Sequence, residues 1–454
     1  MTDDGRHLLS DWNAGTPRLI SRFPGLDHPF GLSPCIPTPD GTGLWIGSPR
    51  GSDRTRLVRL DLDTGEQIGV DSHPVFDRDD PARRPTRGSV LADRAPGHRG
   101  AARGPLPRRP PGDPRPRPVF SRRCCHGWRS SPTATWLMSP AISRRSAGRG
   151  LHPRPRPGHH LVLRPHHRHR PAVVPSLPHL DPARLAPVTP ITLTARDGLD
   201  LPCHLTLPVG VEPRDLPTVV LRHGEPWYRD SWGYDPELEF LANRGYAVLK
   251  VNFRGSTGYG KAHTQAAIGQ FAGRMHDDVI DALDRAIAEG WTDRGRIAIY
   301  GNSYGGYAAL VGAAFTPERF AAAISYTGMS DLVEMNRGVV PFARRSLVNT
   351  YVRYMGDPDV PEQEADLLAR SPITRVDDIT APMLLVHGAH DPRVDRRHSD
   401  RVVEALRARG ADVEYLLNER EGHWFVNPDS NIELYRTLER FLARTLGGRT
   451  TAAG

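Results

Sequence analysis

The chain has 454 residues, 38% of them hydrophobic, with 44 glycines, 44 prolines and a formal net charge of +8. That length gives room for two or three domains around a sizeable core, and no apolar run approaches the roughly 18 residues that a membrane span needs. The positive charge does not define a polyanion-binding protein, because it is local: between Pro81 and Arg170 stand 21 arginines, no lysine and two acids, which carry +19 and leave −11 for the rest.

The opening Met1-Thr2-Asp3-Asp4-Gly5 is acidic and lacks the basic and apolar regions of a signal peptide. A reducing cytoplasm is therefore the expected compartment. Residues 1–78 read as a fragment of β-structure. A turn over Thr38 to Thr42 leads into Gly43-Leu44-Trp45-Ile46-Gly47, and Arg56 to Leu62 alternates apolar and polar positions before a turn at Asp63-Thr64-Gly65-Glu66. Turn, strand, link, strand and turn make one propeller-blade unit, and a single blade cannot bury both of its faces.

From 79 to 187 the periodicity vanishes, as in Arg108-Arg109-Pro110-Pro111-Gly112 and His166-His167-Arg168-His169-Arg170. Such a composition buries too little apolar surface to offset an ordering cost of roughly 1–2 kcal/mol per residue, so the segment is expected to be disordered. No aromatic interleaving marks a specific nucleic-acid site. The histidines at 159, 160, 166, 167 and 169 lack a ligand spacing, so no metal is expected. Cys124 and Cys125 fall here. With Cys35 and Cys203 they are too few and too scattered for a disulfide scaffold or a paired zinc site. Arginine without lysine, few acids and an abrupt return to ordinary sequence at Val188 fit a shifted reading frame in a GC-rich gene.

Residues 188–448 alternate strand and helix patterns, with 449–454 as a tail. Ile191 to Pro208 reads as a strand pair about Arg196-Asp197-Gly198. Four-to-six-residue apolar runs follow near 218–221, 246–251, 296–300, 321–325 and 383–386. Such runs suit a parallel sheet covered on both faces. Val279, Leu283, Ala286 and Ile287 form one helical stripe and Leu434, Leu438, Phe441 and Leu442 another. This alternation predicts a doubly wound, mostly parallel α/β domain.

Gly301-Asn302-Ser303-Tyr304-Gly305 follows the strand that ends at Tyr300 and opens a helix, the setting of a nucleophile elbow. In that arrangement the partners follow in the order serine, acid, histidine. Asp391 stands just past the strand Leu384 to His387, and His423 lies in the later Glu421-Gly422-His423-Trp424-Phe425 loop. Ser303 is thus the expected nucleophile, His423 the base and then the acid, and Asp391 the carboxylate that orients the imidazole. His387 and His390 are rival bases, but their closeness in sequence to Asp391 argues for structural roles. Asp277-Asp278 reads as a pair of acids at a helix N-terminus. Arg254, Arg344, Arg345 and Arg353 are considered for gripping a substrate, and none is assigned.

With these residues stand His223-Gly224-Glu225-Pro226-Trp227, Asn252 to Gly260 and His390-Asp391-Pro392-Arg393-Val394. Together the motifs resemble the catalytic domain of the prolyl oligopeptidase family of serine peptidases, nearest its acylaminoacyl-peptidase-like branch. The resemblance implies an α/β-hydrolase fold behind a β-propeller, hydrolysis of short peptides through an acyl-enzyme, no cofactor, and an oxyanion hole built from the backbone N–H groups of Tyr304 and Glu225. Family members usually carry H-G-G-P where this chain has His223-Gly224-Glu225-Pro226. A carboxylate held about 4 Å from the oxyanion would cost on the order of 4 kcal/mol at an effective dielectric near 20, and one turned to solvent would cost little. An esterase on the same triad and an inactive product of a damaged gene are the alternatives.

Overall fold

The computed structural model describes residues 6–11, 17–29, 32, 35–72, 77, 136–138, 159–162, 172–175, 180–339 and 347–451. The apolar runs of its second half form one eight-stranded sheet: Val188–Thr194 (β1), Asp200–Thr206 (β2), Leu216–Arg222 (β3), Ala247–Val251 (β4), Thr292–Asn302 (β5), Ala322–Tyr326 (β6), Met383–Gly388 (β7) and Val413–Asn418 (β8). The order across the sheet is β1-β2-β4-β3-β5-β6-β7-β8, antiparallel at β1–β2 and β2–β4 and parallel from β4 onward.

Residues of the inner strands are almost all buried because both faces are covered. Five helices do the covering: Pro236–Asn243 (α1), Arg274–Ala288 (α2), Tyr304–Phe315 (α3), Arg397–Ala408 (α4) and Pro428–Leu446 (α5). Side chains alternate along each strand, so Val219, Tyr300, Ile324 and Leu384 pack with Leu241 of α1 and Leu438 and Phe441 of α5. Their neighbours Val220, Ile299, Ala323 and Leu385 meet Leu283 of α2, Leu310 of α3 and Leu406 of α4 on the other face. The stripe Leu434, Leu438, Phe441 and Leu442 is buried in the first of these layers, and of the other predicted stripe Val279 and Leu283 are buried in the second with Ile287 partly buried beside them. Ser303 and the loops after β3, β7 and β8 all leave from the C-terminal edge of the parallel strands, where such sheets bind ligands.

Ahead of this sheet, Cys35–Pro37, Gly43–Ser48, Arg56–Asp61 and Gln67–Asp71 form a four-stranded antiparallel meander, and His7–Asp11 pairs with Arg18–Phe23. Phe23 of the last strand packs with Ile46, Val58 and Leu60 of the meander as a buried core. The meander's link to the α/β region includes polar contacts at the short helix Lys261–Gln265. Asp53 accepts hydrogen bonds from the N–H of Lys261 through its carbonyl (2.9 Å) and of Ala262 through its carboxylate (2.8 Å). Asp77 accepts from the N–H of Gly260 (2.9 Å) and, with its other oxygen, from Thr55 (2.6 Å). Two acids thus satisfy backbone donors that a helix start leaves open.

The expectation of a disordered or frame-shifted 79–187 falls mostly outside the described residues. Within it, Trp136–Met138, His159–Val162 and Ala172–Pro175 pair as a small antiparallel sheet, which the composition did not foretell. The chain is described again from Leu180, with Leu185 and Ala186 buried. In the tail, Thr451 donates to Glu439 from both its N–H and its hydroxyl at 2.9 Å. Among the described residues, no helix is long and apolar enough to cross a membrane.

Candidate active site

Strand β5 ends at Asn302, and Ser303 turns the chain into α3 with φ 58° and ψ −117°, a conformation that an L-residue adopts only at a cost. The turn is this tight because β3 lies directly against it. A Cβ on Gly301 would stand 2.6 Å from the Arg222 carbonyl, and one on Gly305 would collide with the same oxygen. The helix begins at the elbow itself, with Tyr304.

Tyr326, on β6, anchors both sides of the site. Its carbonyl accepts the Ser303 N–H (2.8 Å), and its hydroxyl accepts the N–H of Phe425 (2.7 Å), two residues beyond His423. The His423 loop is further held by the Glu421 carboxylate, which accepts from Val426 (2.9 Å) and Asn427 (3.0 Å). It lies against the end of β7, where Gly388 has no side chain and any Cβ would run into the Gly422 carbonyl.

His423 is buried, and its Nδ1 lies 2.7 Å from Asp391 Oδ2. An Nδ1–H donating to that carboxylate leaves Nε2 as the basic nitrogen, and Nε2 is buried with no hydrogen-bond partner. Oδ1 of Asp391 takes the backbone N–H of Arg393 (2.8 Å) and Val394 (3.0 Å). Burial pushes the Asp391 carboxyl up, but hydrogen bonds from His387, from His423 and from these two amides outweigh it and hold the group well below the ordinary carboxylate range.

His387 comes closer to Asp391 than its place in the sequence suggested, with Nε2 3.5 Å from Oδ2. That nitrogen is nearer the Val394 carbonyl (3.0 Å), while Nδ1 meets the Ser399 hydroxyl (2.7 Å). Both ring nitrogens are engaged in a fully buried setting, so His387 braces the acid loop. His390 is exposed, and its backbone N–H bonds the Glu421 carbonyl (2.9 Å).

The loop after β3 passes close to the serine: a Cβ on Gly224 would lie 3.4 Å from Ser303 Cβ. Glu225 follows with φ 47°, a left-handed conformation that suits the glycine usual in the family motif. Its carboxylate is half exposed and pairs with Arg393 at 3.1 Å. Tyr304 opens α3, so its N–H is among those a helix start leaves without an intrahelical partner.

Other candidates resolve into scaffold. Arg254 binds Asp278 through Nε (2.9 Å) and Nη2 (2.6 Å) and Asp197 through Nη1 (2.8 Å). Asp278 is therefore a buried counter-ion rather than a dipole-end acid, a correction to the sequence reading. Arg353 donates to Asn349 (3.2 Å), and Arg344 and Arg345 lie outside the described residues. The sequence reading gave no role to Trp424, Arg393 or Asn302, although each stands within two positions of a predicted site residue.

A mostly parallel sheet with a strained serine at the β5–α3 turn defines an α/β-hydrolase-type domain. Residues 232–449 match the model of the prolyl oligopeptidase family, a family of serine peptidases. The chain is 43% identical over 284 residues to dipeptidyl aminopeptidase BIII of Pseudoxanthomonas mexicana, covering 61% of this chain and 41% of that protein. It is 27% identical over 253 residues to acylamino-acid-releasing enzyme 1 of Oryza sativa subsp. japonica, covering 53% and 32%. It thus spans less than half the length of either relative. The solved structure of a puromycin hydrolase superposes with a TM-score of 0.73 at 21% identity, covering 100% of this chain and 67% of that one, a likeness of fold.

Proposed function

We propose that the chain is a serine peptidase that cleaves short peptides through an acyl-enzyme, with Ser303, His423 and Asp391 as its triad. The observation that carries this reading is the His423 imidazole, fixed to Asp391 at 2.7 Å through Nδ1 with a buried, unpartnered Nε2. In this reading Nε2 takes the Ser303 proton as Oγ attacks the scissile carbonyl, and Asp391 stabilises the imidazolium. The backbone N–H groups of Glu225 and Tyr304 receive the oxyanion, and the Glu225 carboxylate is drawn off it by Arg393. Nε2 then protonates the leaving amine, and water activated by the same imidazole releases the acyl group. The names of the relatives favour substrates from which short or acylated amino-terminal units are released.

A fluorophosphonate probe tests the reading, because only an activated serine reacts with it. The wild-type chain is expected to be labelled and Ser303→Ala is not. Labelling that persists in Ser303→Ala would overturn the assignment. Turnover of p-nitrophenyl esters without any of peptides would leave an esterase on the same residues.

A further inference from the structure

Four side chains form a continuous set of contacts around Ser303, and each stands on or beside a different part of the proposed machinery. Glu225, whose N–H is a proposed oxyanion donor, pairs with Arg393 at 3.1 Å. Arg393, two residues after Asp391, lays its guanidinium over the Trp424 ring, with Cζ 4.7 Å from the centroid. Trp424, next to His423, donates from Nε1 to Asn302 Oδ1 at 3.0 Å. Asn302, the residue before Ser303, donates in turn to the Thr327 hydroxyl at 3.0 Å. The loops after β3, β7 and β8 and the end of β5 are thereby joined outside the triad.

Ordinary stability does not account for this arrangement. Glu225 holds a φ of 47°, which disfavours any residue but glycine. Its carboxylate and the Arg393 side chain are 55% and 49% exposed, and pairs so open to water contribute little to folding. Trp424 leaves half of its surface in solvent. Strain, exposed charge and exposed aromatic surface occur together where these three loops meet the end of β5. Catalysis responds to small misplacements, of order 100-fold for about 1 Å, far more steeply than stability does.

We propose that Glu225, Arg393, Trp424 and Asn302 act as a positioning clasp that holds the oxyanion, acid, base and nucleophile segments in register. Glu225 is on this account a positioning residue in addition to a backbone donor. The inference rests on the hydrolytic reading of Ser303, Asp391 and His423.

The test measures kcat and KM on an uncharged peptide and an uncharged ester, with thermal midpoints, for the full chain and for Glu225→Gln, Arg393→Gln, Trp424→Phe and the Glu225→Gln/Arg393→Gln double variant. Each single variant is expected to lower kcat by about two- to tenfold on both substrates, with KM and the thermal midpoint nearly unchanged. Trp424→Phe keeps a ring beneath Arg393 and removes only the donor to Asn302. The double variant is expected to be no slower than Arg393→Gln alone, because the two residues act through one contact. Losses that multiply in the double variant overturn the clasp, as does an Arg393→Gln effect confined to KM, which makes Arg393 a substrate contact. A wild-type chain unreactive to the fluorophosphonate probe overturns the hydrolytic reading itself, and the clasp with it.

Discussion

The meander over 35–71 and the α/β region from 188 onward are both ordered, yet for different reasons. The α/β region buries three extensive apolar clusters on the two faces of one sheet. The meander has three buried apolar residues, Ile46, Val58 and Leu60, which pack with Phe23 of the preceding strand, and leaves Ile36, Ile68 and Val70 exposed. A sheet with one thin core is marginal by itself. Its link to the larger region includes backbone hydrogen bonds to Asp53 and Asp77. One region is stabilised by what it buries; the other depends on what it touches.

The largest way to sharpen that contrast is chemical. Ser303→Ala is expected to reduce kcat by on the order of 10⁶, His423→Ala nearly as much and Asp391→Asn somewhat less, because the members of a triad act as a unit. Steady-state peptide hydrolysis checks this, and a fatal His390→Ala beside an active His423→Ala would refute the base assignment. Core truncation comes next. Leu384→Ala, at a fully buried site in β7, should cost about 2–5 kcal/mol in the main unfolding transition measured by denaturant titration. Ile46→Ala should leave that transition in place and instead loosen the meander, seen as faster amide exchange over 35–71. A shared transition for both variants would mean that the two regions fold as one.

Docking is the next smaller effect. Asp77→Ala removes a carboxylate that joins Thr55 to Gly260, and loss of such a cap typically costs about 0.5–2 kcal/mol. Exchange in the meander should accelerate while the α/β region stays protected. Glu225→Gly relieves a positive φ and should raise the stability of the α/β region by about 1 kcal/mol while cutting the clasp, so that midpoint and kcat move in opposite directions.

Two single carboxyls, one in each region, should also answer pH with opposite signs. In the meander, the backbone N–H of Thr64, the Arg59 guanidinium and the N–H of Asp63 lower the Asp61 carboxyl to about 2. Its contribution is present above the unfolded value and is lost as pH falls toward the folded one. In the α/β region, burial raises Glu237 to about 7 against its hydrogen bond from Tyr300. A carboxyl raised on folding binds its proton more tightly in the native state, so that contribution declines as pH rises from about 4.5 through 7. Exchange measured at pH 3 and pH 8 should find the meander loosened at the first, and Glu237→Gln should flatten the α/β response at the second.

The α/β region was legible because its signals are local and repeated. Runs such as Ala298-Ile299-Tyr300 must be buried on both faces, and Gly301, Ser303 and Gly305 define a turn that few sequences need. Asp391 and His423 could be placed by order along the chain, yet their 2.7 Å contact depends on loops 32 residues apart. What sequence could not supply was side-chain direction. Whether Glu225 faced the oxyanion or Arg393 turns on a backbone dihedral and on a partner 168 residues away. Asp278 was misread for the same reason, since its partner Arg254 reaches it across tertiary space. The arginine-rich segment carries no periodicity from which strands could be read, and 136–138, 159–162 and 172–175 pair all the same.

The bare Cα of Gly388 has a consequence for how the gene can change. The base loop lies in the space that any side chain at 388 would fill, so the nearest neighbours of this codon in sequence space are all closed. The exposed positions of the meander are under no such constraint. Sequence drift in this chain should therefore accumulate unevenly, with Ile68 or Val70 exchanging freely while Gly388 stays fixed for as long as the site is used. A lineage in which Gly388 has been replaced would have given up the seat of the His423 loop, and under the proposed assignment its Ser303, Asp391 and His423 would remain as a record of lost activity.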